Sequence, residues 1–351
     1  MGLPSVIINF KETASSVAKR GERGIVTLVL KDSVDEIEHD KVLTVADIHP
    51  TLNEFNREQI KLALMGYQTA PKKVLAVIIP NEESCKIALK YLEALKWDYL
   101  VIPEITEEEV LSVANWVKSS DKKVKGVLPH CNADHEKVIN FTSDEILTET
   151  RAYSTAEYCS RIAGLLAGTP MTISATYAQL NEVIDFERKT KIEMDEAINK
   201  GELILYHDGE KVKIARAVTS FVTTTKDKGD SFKKIKLVDA MHMIHEDIKR
   251  NAEDSYLGKY ASNYDNKCLL VTAIQSYLDQ LVLDGILDKS YDNKIYIDME
   301  SQTAYLKSIG VDVENLSEQE LKEYNTKDKV FLEASIKILD AIEDITLDIN
   351  I

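Results

Sequence analysis

Long apolar runs are absent: nowhere do about 18 apolar residues follow one another, so no helix is expected to span a membrane. The N-terminus carries no basic segment followed by a long apolar stretch, so no secretory signal is expected. Cysteine is scarce. Cys85, Cys131, Cys159 and Cys268 stand apart without CxxC spacing, and free thiols in a reducing compartment are expected. Positive charge is in deficit, with 43 Lys and Arg against 59 Asp and Glu and a net charge of −16. That excludes a general nucleic-acid binder, which needs clustered cations for phosphate. The runs "DKKVKG" (121–126) and "SFKKIK" (231–236) are short, lack interleaved aromatics, and read as solvated surface.

The common catalytic motifs are missing too. There is no GxxxxGK[ST] to cradle nucleotide phosphates, no GxGxxG and no GxSxG. "HEDIK" (245–249) lacks the second His of a zincin. Two histidine clusters remain. "PHCNADH" (129–135) sets His130, Cys131, Asp134 and His135 in a loop after a strand, but a metal needs three or four converging donors. "MHMIH" (241–245) puts His242 and His245 about one turn apart on a long helix, where packing beside Met241 and Met243 is the simpler role. No enzyme activity and no cofactor are expected. The alternatives held open are a cytosolic α/β metal-dependent enzyme using His130, Cys131 and His135, and a non-contractile oligomeric scaffold.

What the chain does contain is alternation of strand and helix. "GIVTLVLKD" (24–32), "KKVLAVIIP" (72–80), "DYLVIPE" (98–104) and "VKGVLPH" (124–130) read as strands. Between them lie helical patterns at 56–67, 81–97 and 106–121, the last opened by Thr106 with Glu109 as a capping box. This order predicts a parallel α/β sheet. Further on, helices are predicted at 154–169, 233–260, 266–287 and 316–325, and 181–201 leads into another that Gly201 caps. A hairpin is predicted around Asp208-Gly209, a strand at 293–300, and strand-like material over 329–351. The second half therefore reads as α+β.

Both ends are unusually apolar. Val6, Ile8 and Phe10 alternate with Ile7 and Asn9, while Leu347, Ile349 and Ile351 alternate with Thr346, Asp348 and Asn350. "KETASSVAKRGERG" (11–24) reads as a polar arm whose 14 residues reach roughly 46–50 Å when extended. Such strands either complete the sheet of their own subunit or pair with another.

The stretches 5–32, 157–180, 203–225, 235–267 and 329–351 resemble contractile phage tail sheath proteins. The similarity is to the short form found in R-type bacteriocins (diffocin-like) and in defective prophages of Gram-positive bacteria. The resemblance implies a two-domain tail-sheath fold, α/β and α+β, with terminal β-strand arms that pair between subunits. Residues 1–24 would be the N-terminal strand and arm, 25–180 the α/β domain, 181–343 the α+β core domain and 344–351 the C-terminal strand arm. Sheath subunits stack as six-fold rings around a tail tube and contract, using no nucleotide, to drive it through a cell envelope. Implied partners are other copies of the chain, the tube, the baseplate and the tail terminator, with no nucleic acid and no membrane insertion. Assembly would be cytoplasmic, followed by release in extracellular particles. The interaction residues would be Val6, Ile7, Ile8, Asn9 and Phe10 at one end. At the other they would be Thr346, Leu347, Asp348, Ile349, Asn350 and Ile351.

Overall fold

The structure, a computed structural model, describes residues 23–350. Its first strand, β1 (Ile25–Asp32), is followed by β2 (Glu38–Val42), α1 (Glu54–Leu64), β3 (Lys73–Pro80) and α2 (Lys86–Leu92). Next come β4 (Tyr99–Val101), α3 (Glu107–Ser119), β5 (Lys125–Pro129) and β6 (Val138–Phe141). A small antiparallel sheet in the order β8-β7-β9 is built from β7 (Ile146–Thr148), β8 (Ala152–Tyr153) and β9 (Val183–Asp185), with α4 (Thr155–Ala167) inserted. After α5 (Lys191–Asn199), β10 (Glu202–Leu203) joins the edge of the large sheet, whose order is β10-β6-β5-β4-β1-β3-β2. Every pairing in that sheet is parallel except β2 with β3.

Period-two alternation explains why this sheet is covered on both faces. Val26, Leu28 and Leu30 of β1 join Val74, Ala76 and Ile78 of β3 in one core, with residues of α1 and α4. Ile25 and Val29 turn the other way and meet Leu75, Val77 and Ile79 in a second core, with residues of α2 and α3. Gly164 lets α4 lie directly against α1, because a Cβ there would run into the Ala63 carbonyl. Thr106 donates its backbone N–H to Glu109 at 3.3 Å, the reciprocal bond of the expected capping box, and its hydroxyl donates to the same carboxylate at 3.1 Å.

The hairpin β11 (Leu205–His207) with β12 (Val212–Ile214) forms around Asp208-Gly209, where Gly209 has φ of 105°. Then follow α6 (Ile235–Ser255), α7 (Tyr264–Leu283), β13 (Lys294–Ile297), α8 (Met299–Ser308), α9 (Glu318–Glu323) and β14 (Leu332–Ser335). Among the described residues the chain forms two compact units. One comprises 23–246 with 338–350, the other 247–337. The division falls inside α6, whereas the sequence reading placed a boundary after residue 180. The reason is long-range pairing: β10 hydrogen-bonds to β6, and Leu203, Leu205, Val212 and Ile235 lie in the same core as β1.

Three expectations need correction. The helix expected from residue 81 begins at Lys86, because Asn81–Cys85 forms a turn with Glu83 N–H bonded to the Pro80 carbonyl. Among the described residues of the run 329–351 one strand forms, 332–335, paired with β13, and Ile338 makes an isolated bridge. The two basic runs are not solvated faces. Lys125 is only 2% exposed and Lys122 donates to the carbonyls of Leu92 and Leu95, while Lys234 and Lys236 hold the C-terminal segment.

Candidate assembly interface

The functional candidates named from sequence fall into two groups, and the first is spent within the fold. His130 Nε2 lies 2.9 Å from Asp144 Oδ1 and 3.3 Å from Thr155 Oγ1. Cys131 is buried, and burial pushes its thiol pKa up. Asp134 accepts the N–H groups of Val222 and Thr223, while His135 faces Glu136 at 3.4 Å. His130 and Asp134 thus tie the loop to different neighbouring segments, and Cys131 is packed inside. Among the described residues no three His, Cys, Asp or Glu side chains are grouped to hold a metal. Replacing His130 by Asn, which tolerates the observed φ of 45°, should cost less than about 1 kcal/mol because its contact with Asp144 is exposed. Urea titration and microscopy of the variant should show a normal subunit that still assembles.

His242 has a different role from the helix-face packing expected. It is buried with its Nδ1 3.3 Å from Lys125 Nζ, and Lys125 is also paired with Asp239. Tyr99 donates its hydroxyl to Asp239 at 2.7 Å. Burial first, then the Lys125 charge, hold the His242 pKa well below the usual histidine value. This network joins the start of α6 to β4 and β5.

The second group lies at the C-terminus. Residues 338–344 are held against the larger unit by a series of polar contacts. Lys236 Nζ donates to the Leu339 carbonyl at 2.5 Å, and Lys234 pairs with Asp340. Glu343 has a side chain only 5% exposed and accepts from Ser174 Oγ at 2.9 Å and Thr176 Oγ1 at 2.6 Å. Lys234 and Arg216 face its other oxygen at 3.4 and 3.7 Å. Arg216 also donates from Nη2 to both Asp344 oxygens at 2.6 Å. Beyond Asp344 the chain leaves its own body. Ile345, Leu347 and Ile349 are 83%, 75% and 75% exposed, and Thr346, Asp348 and Asn350 between them are exposed as well. In the single chain this stretch is in no ladder. Val6, Ile7, Ile8, Asn9 and Phe10, with Ile351, lie outside the described residues.

Sheet edges complete the picture. The edge strand β2 carries Glu38, His39, Asp40 and Lys41, a charged composition that discourages further pairing. At β13 the outer edge is closed by a side chain. Gln275 of α7 donates to the Asn293 carbonyl at 2.9 Å and accepts the Ile295 N–H at 3.2 Å, much as a neighbouring peptide would. Asp298 N–H bonds the Phe331 carbonyl, so even-numbered residues of β13 face β14 and odd-numbered ones face outward. On β14 the outward groups are then those of Leu332 and Ala334. Among the described residues nothing bonds them, so within those residues the β14 edge is open. Gln275→Ala should cost about 1–3 kcal/mol through its two lost backbone bonds. It should also open a second edge, detectable as concentration-dependent light scattering.

The comparisons with known proteins cover the whole chain. A family model of the phage tail sheath protein central domain matches residues 77–220, and one of the phage tail sheath C-terminal domain matches 227–351. The tail sheath protein of Clostridium phage phiCD119 is 35% identical over 358 aligned positions, covering 99% of each chain. Among solved structures, the sheath tail protein of Desulfitobacterium hafniense has the same fold with a TM-score of 0.71 and 16% identity. That match covers 97% of this chain and 98% of the other. The contracted helical sheath of the anti-feeding prophage superposes with a TM-score of 0.71 at 14% identity, covering 100% of this chain and 99% of the other.

Proposed function

The chain belongs to the phage tail sheath family and is a structural subunit of a contractile sheath, not an enzyme; from that premise we propose that its subunits are joined by terminal strands added to a neighbour's sheet. The observation that carries this reading is the C-terminal segment, firmly seated up to Asp344 and then presenting Ile345, Leu347 and Ile349 to solvent. An apolar strand left unpaired is an aggregation hazard. Laid along an open edge such as that of β14, its backbone bonds give strength and its alternate side chains set register. Six strand residues would form about four to six bonds at about 0.5–1.5 kcal/mol each. One such contact is modest, and a lattice of them holds.

Val6–Phe10 would pair in the same way at the other end, with 11–24 as slack between strand and body. The particle would be a phage tail or an R-type bacteriocin. In it the sheath stacks in six-fold rings around a tail tube, between a baseplate and a terminator. It would be assembled in the cytoplasm and released with the particle. Negative-stain microscopy of the purified chain tests the polymer directly. Hollow tubes with helical striations are expected, and discrete particles at every concentration would contradict it.

A further inference from the structure

We propose that Glu343 is the positioning residue of the C-terminal arm: it seats the arm's root in a socket on the subunit's own body and thereby fixes where the exposed strand starts and how far it reaches. This rests on the strand-addition reading above. The socket's side chains are also tied to one another and to the body. Thr176 Oγ1, which donates to Glu343, accepts the Ala217 N–H at 3.0 Å, and Ser174 Oγ lies 3.0 Å from Thr176 Oγ1. Ser174 and Thr176 follow α4, whereas Arg216 follows β12. With Lys234, which precedes α6, three separate stretches meet on one carboxylate. Asp340 and Asp344 make ion pairs on either side, but both are solvent-exposed and so contribute little alone. Glu343 is the buried member.

The consequence is geometric. With the root seated, residues 345–351 span at most about 23–25 Å from Asp344. Freed from residue 338, the arm would span about 46–50 Å. A longer, looser arm finds its acceptor less often. Effective concentration falls roughly as the −3/2 power of length, so doubling seven residues to fourteen lowers it about threefold. Glu343 therefore acts on assembly through the strand, without touching the neighbour.

The test uses the full chain with Cys268→Ser and spin labels on Ile342→Cys and Ile192→Cys, both exposed positions within the same compact unit. Pulsed dipolar spectroscopy should give one narrow distance distribution for the subunit with Glu343 intact. Glu343→Ala should broaden it, leave the melting temperature of the body unchanged, and raise the concentration needed for tube formation about threefold or more. Glu343→Gln keeps an acceptor for Ser174 and Thr176 while losing its charge, so it should fall between the two. A distribution already broad with Glu343 intact, or one unmoved by Glu343→Ala, would overturn the proposal. So would tube formation unaffected by a broadened arm. Failure of strand addition itself would be seen separately, as tubes formed without residues 346–351.

Discussion

Deletion of residues 346–351 yields a subunit that folds and melts normally but forms no tubes. The body should not notice the loss. The last polar ties of the segment are made by Glu343 and Asp344, and every described residue removed is exposed. What disappears is the donor strand. Its apolar side chains Leu347 and Ile349 each contribute about 1.5–3 kcal/mol when fully buried, on top of the backbone bonds. On the strand-addition reading each subunit gives and receives such strands, so the losses would repeat at every node and the lattice would fail as a whole. The mirror-image variant is Ala334→Pro on the receiving edge. Proline there removes an outward N–H while leaving the bonds of β14 to β13, which run through its odd-numbered neighbours. It too should give folded subunits with assembly greatly reduced. Sedimentation and microscopy of the two variants check both halves. Ordered tubes from the truncated chain would sink the strand-addition reading.

Lys125→Ala should lower stability by about 3–5 kcal/mol, the usual loss when one partner of a buried pair is removed. For a protein whose total stability is about 5–15 kcal/mol, that is a large fraction. Asp239 would keep the Tyr99 hydroxyl but lose its cation, and α6 would lose its tie to β5. Replacing both partners, as in Lys125→Met with Asp239→Leu, should restore much of the loss because no lone charge stays buried. The same network makes the fold acid-sensitive. His242 takes up a proton near pH 6.5 in the unfolded chain but resists it in the folded one. Its share of stability is therefore complete above that pH, and falls as the pH drops below it toward the lower folded-state value. Urea melts at pH 7.5 and 5.5 should separate further for the native chain than for His242→Asn.

Much of the architecture was legible where local chemistry decides it. The Val, Ile and Leu runs of β1 and β3 could only be doubly buried strands, and Thr106 with Glu109 marked a helix start. Asp208-Gly209 marked a hairpin. Less visible was anything set by distant partners. β10 is two residues long and exists because β6 lies beside it, some 60 positions earlier in the chain. Lys125 looked like surface charge, since nothing nearby in sequence announces Asp239 or His242. The seat of Glu343 likewise depends on Ser174, Thr176 and Arg216, all far upstream. The apolar alternation of 345–351 was plain in the sequence. That it stands free of its own body was not, because a strand completing its own sheet reads the same way.

A helical reconstruction of assembled sheath, at a resolution that traces side chains, tests the central claim most directly. Residues 345–351 should continue from the Glu343 socket of one subunit into a strand about 4.8 Å from β14 of a neighbour, bonded to Leu332 and Ala334. Finding those residues folded back on their own subunit, with the β14 edge unoccupied or covered by another element, would contradict it.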